Sequence, residues 1–140
     1  MQTSLRPSSQ DDLPWLDLFY ESQMRPFVER THTWNSGVFS ENFDAEETSI
    51  ITYCSEDVGM LKVKRHEDHI YLADILIKPE FQGRGFGTAL ISELISESKL
   101  KNIPLKLRVL KVNPALELYT KLGFSIESEN DHAVFLIALS

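Results

Sequence analysis

The spacing of apolar positions changes repeatedly along this 140-residue chain, and each change marks an element. Leu5 to Pro7 reads as a short first strand. In SSQDDLPWLDLFYESQM, Leu13, Leu16, Phe19 and Tyr20 recur at helical spacing. Ser8 or Ser9 caps that helix, Asp11 and Asp12 suit its positive first turn, and Pro14 is tolerated near its start. RPFVERTHTW predicts a second helix with Pro26 in its first turn. From Asn35 to Glu47 the periodicity fails, which predicts a loop or an irregular short helix. Three strand-like runs follow, Ser49–Cys54, Val58–Lys64 and His69–Lys78, with SEDVG and RHED as turns. Their short connections predict an antiparallel meander. TALISELISESKLK predicts an amphipathic helix that buries Ala89, Leu90, Leu94 and Ile95 and exposes Glu93, Glu97 and Lys101. Leu105, Leu107 and Val109 alternate as a strand. PALELYTKLGF predicts a helix opened by Pro114 and closed at Gly123. FSIES and HAVFLIAL predict two last strands around a polar END turn. The order is mixed α/β, a single domain over residues 1–140 without repeats or linkers.

Composition narrows the function classes. Hydrophobic residues make up 42% and charged residues 25%, as in an ordinary globular domain. The longest apolar runs, such as Val134 to Leu139, have strand length, so no membrane association is expected. The opening MQTSLRPSSQDD has no apolar core of a secretory signal. The single cysteine, Cys54, cannot form an internal disulfide and is expected in a buried strand rather than as a nucleophile. A cytoplasmic location follows as an expectation. A net charge of −7 without a basic stripe argues against a nucleic-acid partner and is compatible with a cationic, amine-bearing one. His66 and His69 flank a turn without a third ligand at useful spacing, so no metal is expected.

The stretch KPEFQGRGFGTALI, Lys78 to Ile91, sets three glycines at alternate positions between a strand and a helix. The first four N–H groups of a helix lack intrahelical partners and carry the positive dipole end. Glycines there let a bulky anion approach the backbone, the design of phosphate cradles, and Arg84 adds a cation. The plainer reading is a tight turn that needs positive φ and binds nothing. The spacing G-x-G-x-G is neither the G-x-G-x-x-G of dinucleotide folds nor a Walker loop, which requires Lys after its last glycine.

Gln82, Gly85 and Gly87 form Gln-x-x-Gly-x-Gly, which resembles the acyl-CoA loop of the GNAT superfamily of acetyl-CoA-dependent N-acetyltransferases. VNPALELYTKLGF, Val112 to Phe124, resembles that family's last helix, and element order is similar from end to end. A narrower resemblance, carried by MRPFVERTHTWN and LRVLKVNPALELYTKLGF, is to small members of unassigned substrate. The resemblance implies a central, mostly antiparallel mixed sheet of six to seven strands with about four helices. It implies that Gln82, Gly83, Arg84, Gly85, Phe86, Gly87 and Thr88 hold the diphosphate of acetyl-CoA. It also implies that Ile75, Leu76 and Ile77 pair with the pantetheine arm as with an added strand.

Further roles follow from the same resemblance. Tyr119 matches the tyrosine that protonates the leaving thiolate, and a phenol near pKa 10 can serve a thiol nearer 8.5. Asn113 matches the asparagine that contacts the coenzyme arm. Its spacing to Ala115 is one residue short, however, and capping the helix before Pro114 is an equal reading. Asp74 is the candidate general base, with Glu29 and His32 as alternatives; Arg25, Glu29 and Trp34 are candidates to line the acceptor pocket. A small-molecule or peptide amine is the expected acceptor, and a homodimer is compatible with the family. The rival expectation is a CoA-binding regulatory or interaction module without chemistry.

Overall fold

The computed structural model describes residues 2–139. The elements are β1 (Ser4–Pro7), a 3-10 turn (Gln10–Asp12), α1 (Leu13–Val28), α2 (Val38–Glu41), β2 (Thr48–Tyr53), β3 (Glu56–Arg65) and β4 (Ile70–Ile77). A second 3-10 turn (Pro79–Phe81), α3 (Phe86–Lys101), β5 (Leu105–Leu110), α4 (Ala115–Lys121), β6 (Ser125–Glu129) and β7 (Ala133–Ala138) complete the chain. The strands form one sheet in the order β1-β2-β3-β4-β5-β7-β6. It is mostly antiparallel, with β4 and β5 paired in parallel over Ile70↔Leu105 to Leu72↔Leu107. This is the mixed α/β fold that the sequence predicts.

Contacts group the chain into two compact units. The first is the chain up to Lys62 together with Asp74–Gly87. Its core is Leu16 and Phe19 of α1 with Ile50 and Met60 of the sheet, and Trp15, Phe39, Phe43 and Leu76 pack against them. Burying each such side chain contributes roughly 2 kcal/mol. The start of α1 is fixed by polar bonds. Ser9 and Asp12 form a reciprocal capping box on the 3-10 turn. The Asp12 carboxylate also accepts from the Arg6 guanidinium (2.8 and 3.1 Å) and from Trp15 Nε1 (2.9 Å). Ser8 does not cap; its hydroxyl donates to the Thr48 carbonyl at 2.7 Å.

The second unit is Val63–Ala73 together with the chain from Thr88 onward. Leu105, Leu107 and Val109 are buried on alternate positions of β5, which pairs antiparallel with β7 from Leu105↔Ala138 to Leu110↔Ala133. α3 buries Leu90, Leu94 and Ser98 here, and Arg65 forks onto Glu97 on its outer side (2.7 and 3.0 Å). α4 ends at Lys121 and is closed by Gly123, whose φ of 102° only glycine adopts without strain, and the Phe124 N–H returns to the Tyr119 carbonyl.

Four local expectations are corrected. No second helix covers 29–34: α1 runs through Pro26 and stops at Val28. Pro26 lies so near the end that it spoils only the bond to the Ser22 carbonyl, and the Glu29 N–H still bonds the Arg25 carbonyl. Cys54 is exposed, not a buried strand residue. With Ser55 it makes the two-residue β2–β3 turn, with φ of 52° and 66°, as a I′ hairpin turn demands. That turn also replaces SEDVG as the connection, because Glu56 and Asp57 are already in β3. Ala89 is exposed, and the buried α3 face runs through Ile91 instead.

Candidate active site

The strand-to-helix junction is built from the end of β4, the 3-10 turn Pro79–Phe81 and the first turn of α3. Three links fix it within the first unit. The Lys78 N–H bonds the Val58 carbonyl at 2.8 Å, and the Gln82 amide Nε2 donates to the Ile77 carbonyl at 2.9 Å and to Gln23 Oε1 at 3.3 Å. Phe86 is buried with its ring 4.9 Å from that of Tyr53. The Arg84 guanidinium stands 5.0 Å over the Phe81 ring and donates to the Glu80 carbonyl at 3.2 Å. A cation is thus held beside the loop by a stacked aromatic and a backbone oxygen.

The glycines divide by cause. Gly83 and Gly85 have φ of 76° and 85°, so their conformation alone calls for glycine. Gly87 does not: its φ is ordinary, and an added Cβ would meet only Ile75 Cδ1 at 4.0 Å. The chain's own backbone and packing therefore leave the glycine at 87 unexplained. Thr88, in the first turn of α3, is half-buried.

Along β4, the ladder to β5 covers Ile70–Leu72, and Asp74, Ile75, Leu76 and Ile77 lie beyond it, each half-buried. The Leu76 carbonyl is turned toward Gly59 of β3, a residue that the sequence reading passed over. An isolated glycine inside a strand pattern was the available signal.

Tyr119 is buried in α4, edge-on to Phe124 with centroids 5.6 Å apart. Asn113 Oδ1 accepts the Ala115 N–H at 2.9 Å, an Asx turn one residue before Pro114, the N-cap of α4. Of the acceptor-side residues, Arg25 and Glu29 come together and Trp34 stands apart from them. Arg25 bridges Glu21 and Glu29 (2.9 and 3.1 Å), and the three border a surface hollow of about 310 Å³ with Leu18, Ser22 and Pro26. Two carboxylates against one guanidinium leave that hollow negative. The Trp34 ring lies 6.1 Å from that of Tyr20, which stacks on Phe39 at 4.6 Å. His32 is exposed, with Nδ1 2.7 Å from Thr31 Oγ1. Among the described residues no three His, Cys, Asp or Glu side chains converge as metal ligands would, and no helix is long and apolar enough to cross a membrane.

The model of the acetyltransferase (GNAT) family matches residues 12–124. Spermidine N(1)-acetyltransferase of Escherichia coli K12 is 27% identical over 148 aligned positions, covering 94% of this chain and 77% of that protein. The crystal structure of the PaiA N-acetyltransferase from Thermoplasma acidophilum in complex with coenzyme A superimposes with a TM-score of 0.79 at 18% identity, over 100% of both chains. The ribosomal-protein-S18-alanine N-acetyltransferase of Escherichia coli superimposes with a TM-score of 0.69 at 21% identity, over 99% of this chain and 94% of that one.

Proposed function

The chain belongs to the acetyltransferase (GNAT) family and is an acetyl-CoA-dependent N-acetyltransferase; from that premise we propose its acceptor class and the roles of its residues. The acceptor is a primary amine on a small molecule or peptide, and residues 1–140 work as one catalytic domain. One observation carries the cofactor assignment: Gly87, at the start of α3, is a glycine that neither its φ nor packing among the described residues requires. A diphosphate seated on the N–H groups of Gly83–Thr88 supplies the missing reason, with Gln82 bracing the loop and Arg84 adding charge. Acetyl-CoA would supply an activated thioester; Ile75, Leu76 and Ile77 would carry its pantetheine arm and Asn113 would border it.

In the reaction the amine nitrogen attacks the acetyl carbonyl, the C–N bond forms and the C–S bond breaks. Asp74 accepts the proton that the amine loses, directly or through water, and Tyr119 gives one to the departing thiolate. The negative hollow at Glu21, Arg25 and Glu29 suits a cationic acceptor. Two of the relatives named above are, by name, acetyltransferases of spermidine and of an alanine of ribosomal protein S18, so polyamines and peptides head the test panel. Thiol release from acetyl-CoA should depend on the added amine. Coenzyme binding without amine-dependent release from any member of the panel would overturn this reading in favour of a binding module.

A further inference from the structure

The sheet of the second unit has two unlike faces. On one, Leu72, Leu105, Leu107, Val109, Val134 and Leu136 are buried. Topology gives the reason. β4 and β5 are parallel, and β5 and β6 are parallel through β7, which opposes both. α3 and α4 make these two crossovers, and in the order β4-β5-β7-β6 they step the same way. Right-handed crossovers that step the same way lie on one face. Among the described residues no helix of this unit covers the other face.

That open face carries Tyr71 beside Lys106, Lys106 beside Ile137, and Arg108 beside Phe135. Tyr71, Phe135 and Ile137 are half-buried, and Arg108 is exposed. Arg108 differs from the other strand arginines. Arg6 binds Asp12 and Asp57 and Arg65 forks onto Glu97, whereas among the described residues Arg108 meets no carboxylate. Glu127 of the neighbouring β6 lies 3.6 Å from Lys106 instead. A guanidinium on a flat, partly apolar surface can grip a carboxylate from outside with two parallel N–H bonds. Its place in the sheet matters too. β4 and β5 stop pairing after Leu72↔Leu107, and Arg108 is the first β5 residue past that point.

We propose that Arg108 is a specificity-determining residue that binds a carboxylate of the acceptor. The acceptor is then an amine that also carries an acid group, as an amino acid or short peptide does and a polyamine does not. This rests on the acetyl-CoA reading above, in which the coenzyme arm follows β4 beyond its ladder to β5. With α3 and α4 on the other face, an acceptor reaches that arm from the face of Arg108.

Amino acids and dipeptides, each as free acid and as C-terminal amide, should be offered with acetyl-CoA, and spermidine alongside them. In the wild-type protein kcat/KM should favour an acid over its own amide at least about tenfold, the least that a hydrogen-bonded charge pair is worth. Arg108→Gln should bring that ratio close to one, and Arg108→Lys, which keeps the charge but loses the fork, should keep only part of it. A merely structural defect would lower both members of each pair and leave their ratio alone. A wild-type ratio near one, a ratio unchanged in Arg108→Gln, or a preference for spermidine overturns the proposal, while amine-dependent thiol release in the same assays leaves the acetyl-transfer reading standing. If none of these amines releases thiol, that reading fails and this proposal with it.

Discussion

Gly87 and Gly85 look equivalent in the sequence and are opposite in physics. Gly85 at φ 85° resists any side chain, so Gly85→Ala should destabilise the fold by about 1–2 kcal/mol whether or not a ligand exists. Gly87 has an ordinary φ and room for a methyl group, so Gly87→Ala should leave the unfolding midpoint unchanged or raise stability by up to about 1 kcal/mol. The same methyl group would lie between backbone and diphosphate, and acetyl-CoA affinity should fall at least tenfold, about 1.4 kcal/mol. Thermal melts and calorimetry on both variants separate the effects; a Gly87→Ala protein that binds normally would leave the loop without a coenzyme role. Tyr119 is separated from a packing role in the same way. Its ring is buried against Phe124, which Tyr119→Phe preserves. Loss of the hydroxyl should lower kcat about 100-fold at unchanged KM for acetyl-CoA. An unaltered kcat would reduce Tyr119 to a core aromatic.

At the scale of elements, the start of α1 is set by an ionic network that the sequence shows only in part. The Arg6 guanidinium bonds the Asp12 carboxylate and outweighs the opposing effect of burial, with the Trp15 indole and Ser9 N–H adding to it. Asp12 is thereby lowered from 3.8 to about 2. A depressed carboxyl stabilises the fold fully above its unfolded pKa and loses that contribution as pH falls through the folded value. Asp12→Asn should therefore cost on the order of 1 kcal/mol near neutrality, the half-exposed Arg6 being screened by solvent. It should also flatten the denaturant midpoint between roughly pH 4 and pH 2. An unchanged profile would mean that Asp12 contributes only its cap. The caps themselves, Ser9 with Asp12 three residues on, could be read from the sequence, because capping is local chemistry. The Arg6–Asp57 bond could not, since its partners are 51 residues apart. The same divide explains the misplaced helix at Pro26 and the buried strand assigned to Cys54. Proline favours the first turn of a helix, so Pro26 reads as a start although it lies in a last turn, and an apolar Tyr-Cys pair gives no warning of a I′ turn lacking Asn or Gly. In the candidate site, the glycine loop and Tyr119 were legible as motifs. Gly59 showed only as a glycine inside a strand run, because its reason is a carbonyl 17 residues away.

At the scale of the molecule, the question is whether two compact units unfold as one. Both tryptophans, Trp15 and Trp34, belong to the unit formed by the chain up to Lys62 and Asp74–Gly87, so indole fluorescence reports on that unit alone. Far-UV circular dichroism reports on both. The chain passes between the units within β3, at Lys62–Val63, within β4, at Ala73–Asp74, and within α3, at Gly87–Thr88. A strand cut at such a point keeps only part of its ladder, and a fragment of four residues or fewer has little stability of its own. Melting either unit alone would thus halve β4 into four-residue pieces and cut α3 after its first two residues, which penalises any half-folded state. The two probes should give coincident urea transitions with one midpoint and one slope, as expected for a domain of this length. Saturating acetyl-CoA should move both midpoints together by mass action, by about 2.7 kcal/mol at a concentration 100 times the Kd. A fluorescence transition that precedes the dichroism, or a ligand that shifts one probe and not the other, would show that the units fold separately.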